Sequence, residues 1–169
     1  EPLKLQVFVE DSAGNVGVNN GKTLNPELSL ATPEVIAYVD NVAGGIVGNI
    51  VNGGVTNDAQ GVIKGTIDLG TDGLVSQIWV YLHNINTPIK IDIPQGATGV
   101  YEWNVSSDQL SAAVTTGKLV GNVKVTAKAY NDETGLLSDA SNEFNFTVDT
   151  TPPVIENIVV SNQMAADGS

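Results

Sequence analysis

Six oxygen-bearing side chains stand out as candidates for chemistry: Asp40, Asn41, Asn57, Asp58, Asp132 and Asp149. All lie in polar, Gly- or Pro-flanked stretches where turns are expected. Carboxylates and amide carbonyls are hard oxygen donors, and calcium takes about six to eight of them. The same residue types also favour turns for a local reason, because their side chains accept hydrogen bonds from nearby backbone N–H groups. Neither an Asp-x-Asp-x-Asp-Gly loop nor a Gly-Gly-x-Gly-x-Asp nonapeptide is present. Several loops converging at one end of a fold would therefore have to supply any cation site.

Other chemistries find less support. His83 is the only histidine, no Gly-x-Ser-x-Gly elbow exists, and a Ser-His-Asp arrangement has no obvious nucleophile. There is no cysteine, which removes thiol catalysis and thiolate zinc sites. Glu102, Asp92 and Asp108 could pair for glycoside hydrolysis. Aromatic residues make up only 5%, however, too few for a sugar-stacking cleft, and Trp79 and Trp103 lie in alternating strands that place them in the core. No Gly-x-x-x-x-Gly-Lys phosphate loop occurs. The expectation is a protein that is not an enzyme.

The charge balance points the same way. Against 7 basic residues stand 19 acidic ones, for a net charge of −12 over 169 residues. Such a chain repels phosphate backbones and anionic lipid surfaces, so no nucleic-acid partner is expected, and with no stretch of eighteen apolar residues no membrane insertion is expected either. The charge suits either solubility outside the cell or a set of cation ligands. An extracellular fold without disulfides needs another stabiliser, and calcium would serve. Glu1 is no initiator and no signal sequence precedes it, which suggests an internal piece of a longer protein.

Positioning these residues falls to β-strands. Val, Ile and Thr dominate the periodic stretches, and Gly and Pro punctuate them. Seven strands are expected: an edge segment at 34–39, then 61–68, 76–83, 88–94, 100–105, 122–130 and 143–149. One short helical turn is expected at 107–114, capped by Ser107. The fold class predicted is an all-β antiparallel sandwich.

The chain also repeats itself. LKLQVFVEDSAGN (3–15) and later ATPEV (31–35) correspond to VKVTAKAYNDETGL (123–136) and TTPPV (150–154). Pro33 and Pro152 stand 119 residues apart and Gly14 and Gly135 stand 121 apart, so a small insertion separates the copies. A period of that size fits a whole domain. The division predicted is residues 1–33 as the last strands of a preceding unit, 34–151 as one complete unit, and 152–169 as the start of the next; the alternative is one 169-residue domain with both ends integral to it. Residues 1–33 should then pair among themselves or with a neighbouring chain.

The segments YNDETG (130–135), EDSAGN (10–15), VDTTPP (148–153) and VDNVAGGIVGNIVNGGVTND (39–58) resemble the tandem bacterial Ig-like repeats of giant, type-1-secreted biofilm and surface adhesins. LATPE (30–34) departs from that pattern in lacking the Asp. The resemblance implies an immunoglobulin-like sandwich of Greek-key type and a structural spacer repeat at the bacterial cell surface. Its partners would be neighbouring Ig-like repeats of the same chain, and calcium near the junctions would stiffen the rod. The adhesive target is not written in these residues. Two alternatives remain: a calcium-dependent lectin- or peptide-binding sandwich, or an accessory domain of a secreted hydrolase.

Overall fold

Alternation of apolar and polar residues is carried furthest in Gly121–Tyr130 (β12), whose Val123, Val125, Ala127 and Ala129 are all buried while the residues between them face outwards. This strand is the centre of a computed structural model describing residues 3–4, 7–19, 23–24, 29–71, 73–83 and 85–156. On one side it pairs antiparallel with Gln77–Leu82 (β9), which pairs with Ile89–Asp92 (β10). On the other it pairs with Phe144–Val148 (β13), and Gly54–Thr56 (β7) joins β13 in parallel. These form a five-stranded sheet in the order β10-β9-β12-β13-β7. A four-stranded sheet faces it, ordered Val100–Val105 (β11), Val62–Asp68 (β8), Glu34–Asp40 (β5), Gly48–Ile50 (β6). The expected all-β sandwich is the fold.

Between the sheets lies a single apolar core. Tyr38 stacks on Phe146 of the facing sheet with ring centroids 4.3 Å apart, and Trp103 lies over β8 of its own sheet and donates its indole N–H to the Thr66 carbonyl. Gly65, directly paired with Trp103, has to be glycine: a Cβ there would lie 2.0 Å from the indole and 2.2 Å from the Glu34 carbonyl oxygen. Leu30 is buried in the same core, so the sandwich draws on a residue before position 34.

All seven expected strands are present, with ends shifted by a residue or two; β6 and β7 add to them, β7 pairing in parallel where antiparallel pairing was expected, and three further details differ. The segment from Glu34 is not at an edge, because β6 folds back on it and places β5 between β6 and β8. Trp79 is not a core residue: Ile78, Val80 and Leu82 take the inward positions of β9, so Trp79 and Tyr81 face out and are only half-buried. There Trp79 stacks on Tyr130 and carries the Lys90 ammonium over its ring at 4.4 Å. The helix, Ser107–Ala113 (α1), is capped by Ser106, whose hydroxyl accepts from the Gln109 N–H while the Gln109 side chain accepts from the Ser106 N–H.

The first residues form separate ladders. Leu3–Lys4 (β1) pairs with Thr23–Leu24 (β4), and Val7–Glu10 (β2) with Val16–Asn19 (β3). Neither ladder belongs to the sandwich sheets. Residues 157–169, most of the expected opening of a next unit, lie outside the described residues.

The repeated acidic turns are built alike. In the first, Gly14 N–H bonds the Asp11 carbonyl and Asp11 Oδ1 accepts from Ala13 and Asn15. In the second, Gly135 N–H bonds the Asn131 carbonyl and Asn131 Oδ1 accepts from Thr134. Both glycines have positive φ, +84° and +71°, which a residue with a Cβ adopts only under strain. The second turn is one residue longer between its Asx and its Gly, which is where an extra residue of the second copy sits.

Candidate functional site

The ladder registers define two poles. Gly121 pairs with Val148, so β12 begins where β13 ends, and the last residues of β5 and β7 lie at that same pole. The chain leaves the sandwich there. At the opposite pole, where β5 begins, are the ends of β8, β10 and β12.

Five of the six candidate ligands belong to the exit pole. Asp40 and Asp58 are 1% and 2% exposed, which makes them exceptional among carboxylates. Thr56 joins them: its hydroxyl donates to Asp40 Oδ2 (2.5 Å) and accepts from the Asp58 N–H (3.0 Å). Asp58 Oδ2 accepts from the Asn41 N–H, tying the loop after β5 to the segment after β7. Asn57 reaches towards Gly45, and its Oδ1 is buried with no hydrogen-bond partner among the described residues. Asp149 enters through the backbone, its N–H donating to the Thr56 carbonyl (2.9 Å). Asp132 is elsewhere. It lies at the entry pole, bonded to Ser76, and the structure does not bring it to the other five.

Much of the local geometry is that of Asx turns. Asp40, Asp58 and Asp149 each accept, through Oδ1, from the N–H two residues ahead, at Val42, Gln60 and Thr151. The Thr151 backbone N–H, followed by its hydroxyl, holds the exposed Asp149 carboxyl below the usual range. Turn formation alone does not require burial of Asp40 and Asp58, and burying a carboxylate is costly without a counter-charge. Among the described residues the one ion pair is Lys124–Glu143, and it lies on an exposed part of the sheet. Each oxygen of the buried pair has a hydrogen-bond donor and a further lone pair. Tyr38 lies beneath the pair, donating to the Asp58 carbonyl (2.8 Å) and accepting from the Gly61 N–H (2.6 Å). Burial pushes its phenol well above the ordinary value, the bond from Gly61 opposes this, and the Asp58 and Asp40 charges add to the rise.

The donor set suits a hard cation. Two buried carboxylates, a threonine oxygen and an orphaned amide oxygen are the chemistry calcium takes. Among the described residues no three carboxylates or imidazoles converge, so neutral oxygens would complete such a shell. Thr56 and Tyr38 were missed from sequence. The Thr-x-Asp spacing was a signal for Thr56, since a threonine hydroxyl two residues before an acidic turn can accept its N–H.

At the entry pole a polar cleft of about 590 Å3 is lined by Ser76, Asp92, Gln95, Asn131, Asp132 and Glu133. Its side chains are tied together: Ser76 donates to Asp132, Gln77 to Asp92, and Asn131 to the Leu74 carbonyl. His83 is exposed and its backbone N–H bonds the Lys124 carbonyl. Compared with known families, curated proteins and solved structures, the chain matches none.

Proposed function

We propose that this chain is a spacer segment of a large bacterial cell-surface adhesin, a run of Ig-like units stiffened by calcium at the pole where one unit hands over to the next. The observation that carries the proposal is the exit pole itself. The Thr56 hydroxyl bonds the buried Asp40 carboxylate and the N–H of the buried Asp58, and its carbonyl accepts from Asp149, the residue that starts the connection onwards; next to it Asn57 carries a buried amide oxygen with no partner among the described residues. A cation there would offset the charge of Asp40 and Asp58, and the candidate ligands Asn41 and Asn57 would fix the surrounding loops. Asp132 would not take part in this site.

The repeat supports the spacer role. Aligning Pro152 with Pro33 sets Val154 against Val35, and the two differ sharply in environment: Val35 is 1% exposed in the core, Val154 80% exposed. A valine that opens a strand in one copy and finds no core in the other fits the first strand of a following unit. The similar build of the Asp11 and Asn131 turns agrees with this division.

Calcium titration of the full chain by calorimetry tests the proposal. Binding is expected with a dissociation constant of about 10⁻⁴ to 10⁻³ M. It should be lost in Asp58→Asn and kept in Asp132→Asn. Absence of binding heat in all three proteins would remove calcium from the account. A second function, ligand recognition by the sandwich, draws on the entry-pole cleft and predicts the reverse dependence on Asp132.

A further inference from the structure

Asn20 and Asn52 are the two asparagines followed by glycine. With no Cβ on the next residue, the backbone nitrogen is open to attack the preceding side chain. Asn52–Gly53 forms the exposed turn between β6 and β7, with Gly53 at φ +83°. Two bonds tie it to β13. The Asn145 N–H donates to Asn52 Oδ1 (2.7 Å), and the Gly53 N–H donates to the Asn145 carbonyl (2.7 Å). The first bond draws electron density from the Asn52 amide carbon and is placed to stabilise charge developing on its oxygen. The second holds the proton of the attacking nitrogen and must open first. That opening occurs at a sheet edge, beside a three-residue strand, where local fluctuation is far easier than global unfolding.

We propose that Asn52 is a site of spontaneous deamidation. The Gly53 nitrogen gives its proton to solvent base and bonds to the Asn52 side-chain carbon. The carbon–nitrogen bond of the side-chain amide breaks, and ammonia leaves with a proton taken from water. Water then opens the resulting succinimide. Attack at the side-chain carbonyl yields aspartate in a normal backbone; attack at the main-chain carbonyl yields isoaspartate, with one methylene more in the backbone. No oxidant or cofactor enters the balance. Aspartate keeps an acceptor for the Asn145 N–H. Isoaspartate lengthens the path into the parallel ladder of Gly54, Val55 and Thr56 with Phe146, Thr147 and Val148, and so shifts it. Thr56 is the residue that joins Asp40 to Asp58, so the modification reaches the exit pole.

The full chain, aged in mildly alkaline buffer and mapped by proteolysis and mass spectrometry, tests this. Asn52 should convert roughly an order of magnitude faster than Asn104 and Asn122, which precede β-branched valines. Isoaspartate should form part of the product, and Asn52→Gln should remove the charge heterogeneity arising at this position. Conversion of Asn52 no faster than that of Asn104 and Asn122 would overturn the proposal. In the isolated isoaspartate form, amide hydrogens of residues 54–56 and 146–148 should exchange faster than in fresh protein. Unchanged exchange would overturn the coupling to β7. Neither readout depends on calcium, so the spacer function stands or falls separately.

Discussion

The two poles of the sandwich carry acidic residues for different ends. At the entry pole Asp92 and Asp132 are exposed, each already bonded to a neutral neighbour, Gln77 or Ser76. At the exit pole Asp40 and Asp58 are sunk below the surface and held by Thr56 and by backbone N–H groups from two separate loops. An exposed carboxylate in a turn is explained by the turn alone. The buried pair has no ion-pair partner among the described residues, and the proposed cation rests on that difference between the poles.

The largest expected difference between the poles is in stability. Tyr38→Phe would leave the Gly61 N–H and the Asp58 carbonyl without their buried partner, at a cost of about 2–3 kcal/mol. Ser76→Ala at the entry pole should cost under about 1 kcal/mol, since its partner Asp132 is open to water. Denaturant midpoints at unchanged slope would measure both, and equal losses would erase the contrast. Next in size is the calcium-dependent part. At roughly 10 mM calcium, mass action should add about 1.4 to 2.7 kcal/mol of stability. Asp58→Asn should forfeit that gain.

Asp132→Asn should change stability by less than about 0.5 kcal/mol with or without calcium. A larger, calcium-dependent effect would move the site to the entry pole. The smallest effect concerns titration. Because the folded Asp149 carboxyl is lowered, its contribution is present above the ordinary carboxylate range and is lost as pH falls through the lowered folded value. Carboxyl NMR should show a depressed midpoint that rises only partly in Thr151→Val, since the Thr151 backbone N–H still donates to Asp149.

How much of this was legible in the sequence follows from the range of each signal. Period-two stretches such as 123–129 and 144–148 fixed which residues face the core, because alternation is local. β6 and β7 were not legible: each has only three residues and begins with a glycine, and β7 finds its partner β13 far along the chain. Trp79 was misplaced because β9 carries bulk on both faces, and only the packing of Ile78, Val80 and Leu82 decides which face is inside. The oxygen donors could be named from composition and turns. Their sorting into a buried group and the separate Asp132 could not, since Asp40 meets Thr56 only after β6 and β7 double the chain back.

The most direct test of the central claim is thermal melting of the full chain in millimolar calcium against excess chelator, with metal analysis of the same sample. The melting temperature should be several degrees higher in calcium, gain less in magnesium, and fall back on chelation. Identical melting temperatures, with no ion bound, would contradict it.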